Sequence, residues 1–254
     1  MALASVEETP VNETAQHGFK AHSDGGWDAE GAAKHVPVQT RSARFTSTEV
    51  SDFAAVTGRE ANWKYTPVAK IEHLLNGELD GSRTPLSVTQ VAGVSSEWIA
   101  RGDARIGRAG APEELGAAAA WSAFGEAHLV TVSSEEQVTA IVSRDSLGTA
   151  ARAAHTVIEA KPNSRGLVII ENTGDAQLSE NVEIVVGEGA ELTVVSVQQW
   201  ADSALHLASH YASVGRDATL KHIVVSLGGE LVRLNPSIHL DHETSRDARK
   251  IGII

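Results

Sequence analysis

Four histidines, His206, His210, His222 and His239, fall within one stretch of regularly spaced short apolar runs. Residues of equal parity on a strand point the same way, so His206, His210 and His222 can share a face across neighbouring repeats. Imidazoles aligned in that way would hold a borderline divalent metal or ferrous iron. The competing reading is of satisfied or exposed histidines. His206 stands where other repeats carry Leu, no His-x-His pair occurs, and no carboxylate is evident nearby on the matching parity. No metal ligand is therefore assigned.

Asp175 and Asp217 occupy the same repeat position, three repeats apart, and Asp202 lies one position earlier. Carboxylates on neighbouring coils would suit a β-helix carbohydrate-active enzyme, whose paired acids must lie within several ångströms of each other. These aspartates sit at turns, where Asp serves for its local backbone hydrogen bonds, and the turn reading is preferred. Gly174-Asp175-Ala176, Gly187-Glu188-Gly189-Ala190 and Gly215-Arg216-Asp217-Ala218 also read as turns. None has the Lys-Ser/Thr of a phosphate-binding loop or the strand-to-helix setting of a dinucleotide site. Arg233 is either an anion contact or an ordinary surface Arg, and no Ser/His/Asp arrangement stands out. No catalytic or cofactor-binding residue is assigned, and an enzyme is not expected.

Composition narrows the chemistry further. The chain of 254 residues has no Cys, which excludes disulfides, thiolate nucleophiles and direct Cys ligation of an iron–sulfur cluster by this chain. Lys plus Arg is 21 against 33 for Asp plus Glu, a formal charge of −12, which argues against nucleic acid as a partner. Hydrophobic residues are 42% but aromatics only 4%, so the core must be built from aliphatic layers. The first residues lack the basic and apolar regions of a signal peptide and no stretch approaches a membrane span, so a cytoplasmic protein without a membrane partner is expected.

The elements that must position these residues fall into four segments. Residues 1–45 mix Gly and charge without a sustained period and read as mostly disordered. Residues 46–126 read as a small helical N-terminal subdomain. One helix starts at Ser47-Thr48-Glu49 with Val50, Phe53 and Ala54 at helical spacing and Gly58 as its stop. A second follows Pro67 with Val68, Ile71, Leu74 and Leu75 on one stripe and Gly77 as its cap, and a third runs from Pro112 through Trp121 and Phe124 to Gly125. An extended segment is expected at Leu86 to Val91. Residues 127–241 turn to short β-rich runs, and residues 242–254 abandon the pattern as an irregular tail.

Within 127–241 three registers agree at a 14-residue period. Ala176, Ala190, Ala204 and Ala218 form one column, and Leu178, Leu192, His206, Leu220 and Leu234 a second. Gly187, Ala201, Gly215 and Gly229 form the third. A small residue, a branched apolar residue and a turn residue at constant spacing are what stacked coils require. A β-sandwich does not demand the same residue in the same column. Fourteen residues are taken as half a coil, because a whole coil that short leaves little room for Leu and Val inside.

Several ordered motifs resemble the SufB/SufD family. Asn62-Trp63-Lys64-Tyr65-Thr66-Pro67 is similar to the Trp-basic-Tyr-Thr signature near the start of its members. Ile184 to Ala190, Val197-Gln198-Gln199-Trp200, His206, Gly215 to Ala218 and Gly228 to Leu234 are similar to the β-helix of the actinobacterial-type SufD branch, a likeness covering roughly residues 45–241. The resemblance implies a mainly β fold, a right-handed parallel β-helix preceded by a small α-helical N-terminal subdomain. It also implies a non-catalytic scaffold role in a complex with a SufB-like subunit and a SufC-like ABC ATPase, with iron or an iron–sulfur cluster handled through partner residues. Family members continue beyond the equivalent of Ile254, so a C-terminally shortened form is expected, with an incomplete β-helix and without the ATPase-docking helices. The alternatives are a β-helix carbohydrate-active enzyme and a stand-alone His-based metal-binding protein.

Overall fold

The computed structural model describes residues 44–76, 78–240 and, as backbone only, 248–250. Most of the segment expected to be disordered, and the Gly77 cap, lie outside the described residues. Between Val50 and Asp52 there is a single 3-10 turn in place of the expected first helix. Polar side chains divert the backbone there. Ser47 Oγ accepts the Glu49 amide and donates to Asp52, while the Glu60 carboxylate takes the amides of Thr57 and Gly58. Such local bonds compete with helix formation.

Helix α1 spans Val68–Asn76 and buries the stripe Ile71, Leu74 and Leu75. Strand β1 (Ser87–Val88) falls inside the expected extended segment, and β2 spans Val94–Ala100. Helix α2 spans Leu115–Ala123, shorter at both ends than expected, and buries every residue from Leu115 to Trp121. A helix apolar all round belongs in a core. Its alanines let it lie flat on a sheet.

The β-helix follows as β3 (Glu126–Val132), β4 (Val138–Asp145), β5 (Ala151–Ala160), β6 (Arg165–Gly174), β7 (Gln177–Val186), β8 (Glu191–Trp200), β9 (Leu205–Val214), β10 (Thr219–Ser226) and β11 (Leu231–Leu240), with β12 at Ala248–Lys250. Strands pair with their next-but-one neighbour. One sheet runs β1-β4-β6-β8-β10-β12 and the other β11-β9-β7-β5-β3-β2. Pairing is parallel throughout except at β1–β4 and β2–β3. The result is a β-solenoid of about four turns. Part of the segment read as an irregular tail therefore enters a sheet, since Ala248 to Lys250 pair with Leu220 to His222.

Half a coil is the correct meaning of the 14-residue period. Leu178 pairs with His206 and Leu192 with Leu220, each 28 residues apart. The single Ala column of the sequence is thus two stacks, Ala176 with Ala204 and Ala190 with Ala218, packed in separate clusters. All four are buried. The shared turn position is explained by stacking. Gly187 N donates to Ala160 O and Gly215 N to Val186 O, and a Cβ on Gly187 would lie 2.9 Å from that Ala160 oxygen.

Inward positions of both sheets, among them Val130, Val142, Ile158, Ile170, Val182, Val194, Val214 and Leu220, fill the lumen. The outer face of the second sheet carries α2. Ser179 Oγ donates to Gly116 O and Asn181 Nδ2 to Ala117 O. Nearby, the buried Glu183 carboxylate accepts the amides of Gly107 and Ala109 and meets His155 Nε2 at 2.8 Å. Residues Ser47–Ile254 form one compact unit.

Candidate functional site

Along β7 the inward side chains are Leu178, Glu180, Val182, Ile184 and Val186, so strict alternation places one carboxylate in an aliphatic lumen. Glu180 is buried. Arg144, inward from β4, meets it through two bonds, Nη1 to Oε2 at 2.7 Å and Nη2 to Oε1 at 3.1 Å. His206 Nε2 lies 2.8 Å from Glu180 Oε1. On the other side of that ring Trp200 Nε1 donates to Nδ1 at 3.1 Å. The same Nδ1 also lies 3.1 Å from Gln198 Oε1, so the ring bridges the carboxylate and the indole–amide side of the layer. Burial alone pushes the Glu180 carboxyl up, but Arg144 and His206 outweigh it and hold the group well below the usual carboxylate range.

The polar layer extends from this centre. Asn172 Nδ2 donates to Gln198 Oε1 at 3.0 Å, and Gln198 Nε2 to Ser196 Oγ at 2.8 Å. Arg144, Asn172 and Gln198 occupy register-matched positions on β4, β6 and β8. His128, inward from β3, meets Ser96 Oγ at 2.7 Å. Burial, helped by the nearby Arg144 charge, pushes its pKa down to about 4. Further along the lumen His210 Nδ1 lies 2.9 Å from His222 Nε2.

The sequence placed His206, His210 and His222 on one face, and all three do project into the lumen. Only His210 and His222 meet, however, because His206 is four residues before His210 on the same strand and is engaged by Glu180. The expectation that no carboxylate shares their parity is corrected by Glu180 itself. Among the described residues no group of three or more His, Asp or Glu side chains is placed to hold a metal ion. His239 lies outward on β11 and is exposed.

Asp175 and Asp217 do not form a pair. Three half coils separate them, an odd number, so they occupy turns at opposite edges of the β-helix, a strand length of ~33 Å apart for ten residues. Asp175 accepts a hydrogen bond from Ser203, and Asp217 has a left-handed backbone (φ 56°) beside Gly215-Arg216. Arg233 is not a free anion contact. Its guanidinium stacks 4.0 Å over the buried Trp63 ring and pairs with Glu114. Trp63 of the Asn62–Pro67 motif is thereby structural, while Tyr65 is 90% exposed.

Glu180, Arg144, Asn172 and Gln198 were missed. Their signal was present, since each is a polar residue on the inward parity of an otherwise apolar strand. Chemically this layer bonds carboxylate, guanidinium, imidazole and amides to one another under aliphatic cover, while Arg144 Nε, Asn172 Oδ1 and His128 Nδ1 are buried without a hydrogen-bond partner. Among the described residues a groove of about 310 Å³ is lined by Tyr65, Thr66, Val224, Ser226, Val232 and Leu234. Its lining presents neither paired acids nor a nucleophile–base pair.

Residues 140–250 match the family described as "SUF system FeS cluster assembly, SufBD core domain", and so coincide with the coils that hold this layer. The chain is 34% identical over 213 residues to an iron-sulfur cluster assembly SufBD family protein of Mycobacterium leprae, covering 82% of this chain and 54% of that relative. It is 35% identical over 199 residues to a protein of the same description from Mycobacterium tuberculosis H37Rv, covering 76% of this chain and 50% of the relative. The chain thus spans about half the length of the curated relatives it matches.

Proposed function

We propose, from the premise that this chain belongs to the SufBD family of iron–sulfur cluster assembly proteins, that it is a non-catalytic scaffold subunit of the SufD type. It works with a SufB-like subunit and a SufC-like ABC ATPase in the cytoplasm. The iron–sulfur cluster is the cargo of that complex, and cysteine ligands for it come from the partners, since this chain has none. No helix among the described residues is long and apolar enough to cross a membrane.

The observation that supports the non-catalytic reading is the burial of the polar layer. Arg144, Glu180, His206 and Trp200 are hydrogen-bonded to one another inside the lumen. A general acid or base must reach a substrate proton, and Glu180, Arg144 and His206 are buried against one another. The carbohydrate-enzyme alternative loses its pair of acids to the opposite edges of the β-helix. What remains is a rigid frame whose surfaces, rather than a cleft, meet partners.

Co-purification tests the proposal. The 254-residue chain and a full-length relative are expressed side by side with a SufB-like subunit and a SufC-like ATPase, each tagged in turn. Capture of the SufB-like subunit by the 254-residue chain supports the scaffold reading. Failure of both chains to capture either partner overturns it. Turnover of a polysaccharide by the isolated chain that disappears in Asp175→Asn or Asp217→Asn also overturns it.

A further inference from the structure

We propose that Ile251, Gly252, Ile253 and Ile254 form a strap that runs on from β12 along the edge of β10 and seats Ile254 in the groove beside Tyr65. This is independent of the cluster-assembly role and rests on register, on the direction of backbone groups and on the lining of the groove. Ala248, Arg249 and Lys250 pair in parallel with Leu220, Lys221 and His222. A parallel ladder advances residue for residue, about 3.3 Å at a step. The next four residues therefore fall beside Ile223, Val224, Val225 and Ser226. Three of the four are β-branched and none is charged, which suits a strand that is covered rather than solvated.

The backbone of β10 is prepared for this segment. Thr219 N donates to Ala190 O and Leu227 N to Gln198 O, both toward β8. Peptide groups alternate along a strand, so the amides of Ile223 and Val225 also face β8, while those of Val224 and Ser226, with their carbonyls, face the opposite edge. Among the described residues the pairing on that edge stops at His222. Val224 is buried, and backbone groups left unmade at a buried strand edge are costly. In the register of β12 the Val224 amide donates to Ile251 O, the Ile253 amide to Val224 O and the Ser226 amide to Ile253 O.

Parity decides where the side chains go. Val224 and Ser226 share the inward side of β10 with the buried Leu220 and His222, so Gly252 and Ile254 take that side of the strap and Ile251 and Ile253 the other. On the outer face, Ile251 extends the half-buried row of Ile169, Val195 and Ile223, and Ile253 that of Val197 and Val225. On the inner face, Gly252 stands beside Val224 and adds no side chain, while Ile254 stands beside the small Ser226. Val224 and Ser226 line the groove of about 310 Å³ together with Val232, Leu234, Tyr65 and Thr66. The large residue thus arrives where its neighbour is small and space is open. Tyr65 is 90% exposed and Leu227, next to Ser226, is 65% exposed, and a seated Ile254 covers apolar surface that otherwise meets water.

The test is amide hydrogen exchange, read by NMR on the full 254-residue chain and on two variants. Ile253→Pro removes the amide that meets Val224 O, and Ile253→Val keeps it. In the wild type and in Ile253→Val the Val224 and Ser226 amides should exchange at least about tenfold more slowly than in Ile253→Pro. The Ile223 and Val225 amides, which face β8, should exchange alike in all three. Equal exchange of Val224 and Ser226 in all three chains overturns the proposal. If Ile253→Pro does not fold, the wild type decides alone, and exchange at Val224 and Ser226 as fast as in an unstructured peptide overturns the strap. Protection that grows with protein concentration means that a second copy covers this edge, and overturns the assignment to the chain's own segment. Ile254→Asp should melt several degrees below the wild type, because the groove would have to take a charge. An unchanged melting temperature overturns the seat in the groove.

Discussion

At the scale of single residues, the lumen concentrates ionised groups where water is excluded. A buried pair contributes little net stability, because its attraction is spent offsetting desolvation, yet removing one partner strands the other. Glu180→Gln should therefore lower stability by about 3–5 kcal/mol in urea unfolding, since Arg144 is left charged and unpaired. Removing the exposed pair by Lys70→Ala should cost no more than about 1 kcal/mol. Acid lability follows from His128. Its folded pKa of about 4 lies below the ordinary 6.5, so between those values the unfolded chain binds more protons than the folded one and stability falls as pH drops through that window. The full shift is worth about 3 kcal/mol. Urea midpoints measured from pH 7 to pH 4 should decline for the wild type and decline less for His128→Gln. Glu180 adds a second loss below pH 4.5, where its carboxylate takes up a proton in the unfolded chain first.

At the scale of elements, stacking sets the tolerances. Ala204 is fully buried against Ala176, Leu178 and Trp200, so Ala204→Leu should overpack the turn and cost about 1–3 kcal/mol by thermal or urea unfolding. If Ala204→Leu melts with the wild type, the stacked column is not what limits residue size. The seam between α2 and the preceding loop is tighter still. A Cβ on Gly81 would lie 1.8 Å from the Ala123 carbonyl oxygen, which is backbone and cannot swing aside, whereas Gly102 has nothing within 4 Å. Gly81→Ala should consequently destabilise strongly, while Gly102→Ala should stay within about 0.5 kcal/mol of the wild type.

At the scale of the whole molecule, α1, α2 and the strands β1 and β2 are built onto the β-helix rather than standing beside it. Trp63, Trp121 and Trp200 report from the N-terminal segment, from α2 and from the lumen, and all are buried. Unfolding of residues 47–254 is expected to be one transition, with tryptophan fluorescence and far-UV circular dichroism coinciding. A separate early transition in fluorescence would mean that the helical segment folds alone. Sequence by itself determined the solenoid, because stacking repeats the same environment every half coil and so writes Ala, Leu and turn positions into visible columns. It likewise determined α1, whose apolar residues follow the helical period. The first helix was not legible in the same way, since Ser47, Thr57 and Glu60 settle its backbone by side-chain bonds that helical spacing does not record. Only the tertiary structure decided the site. Strand parity says that His206, His210 and His222 can share a face, but which side chains meet there depends on the closing of two sheets. That closure joins Arg144 to Glu180 from 36 positions away, sets His222 against His210, and carries Asp175 and Asp217 to opposite edges, because an odd number of half coils always does.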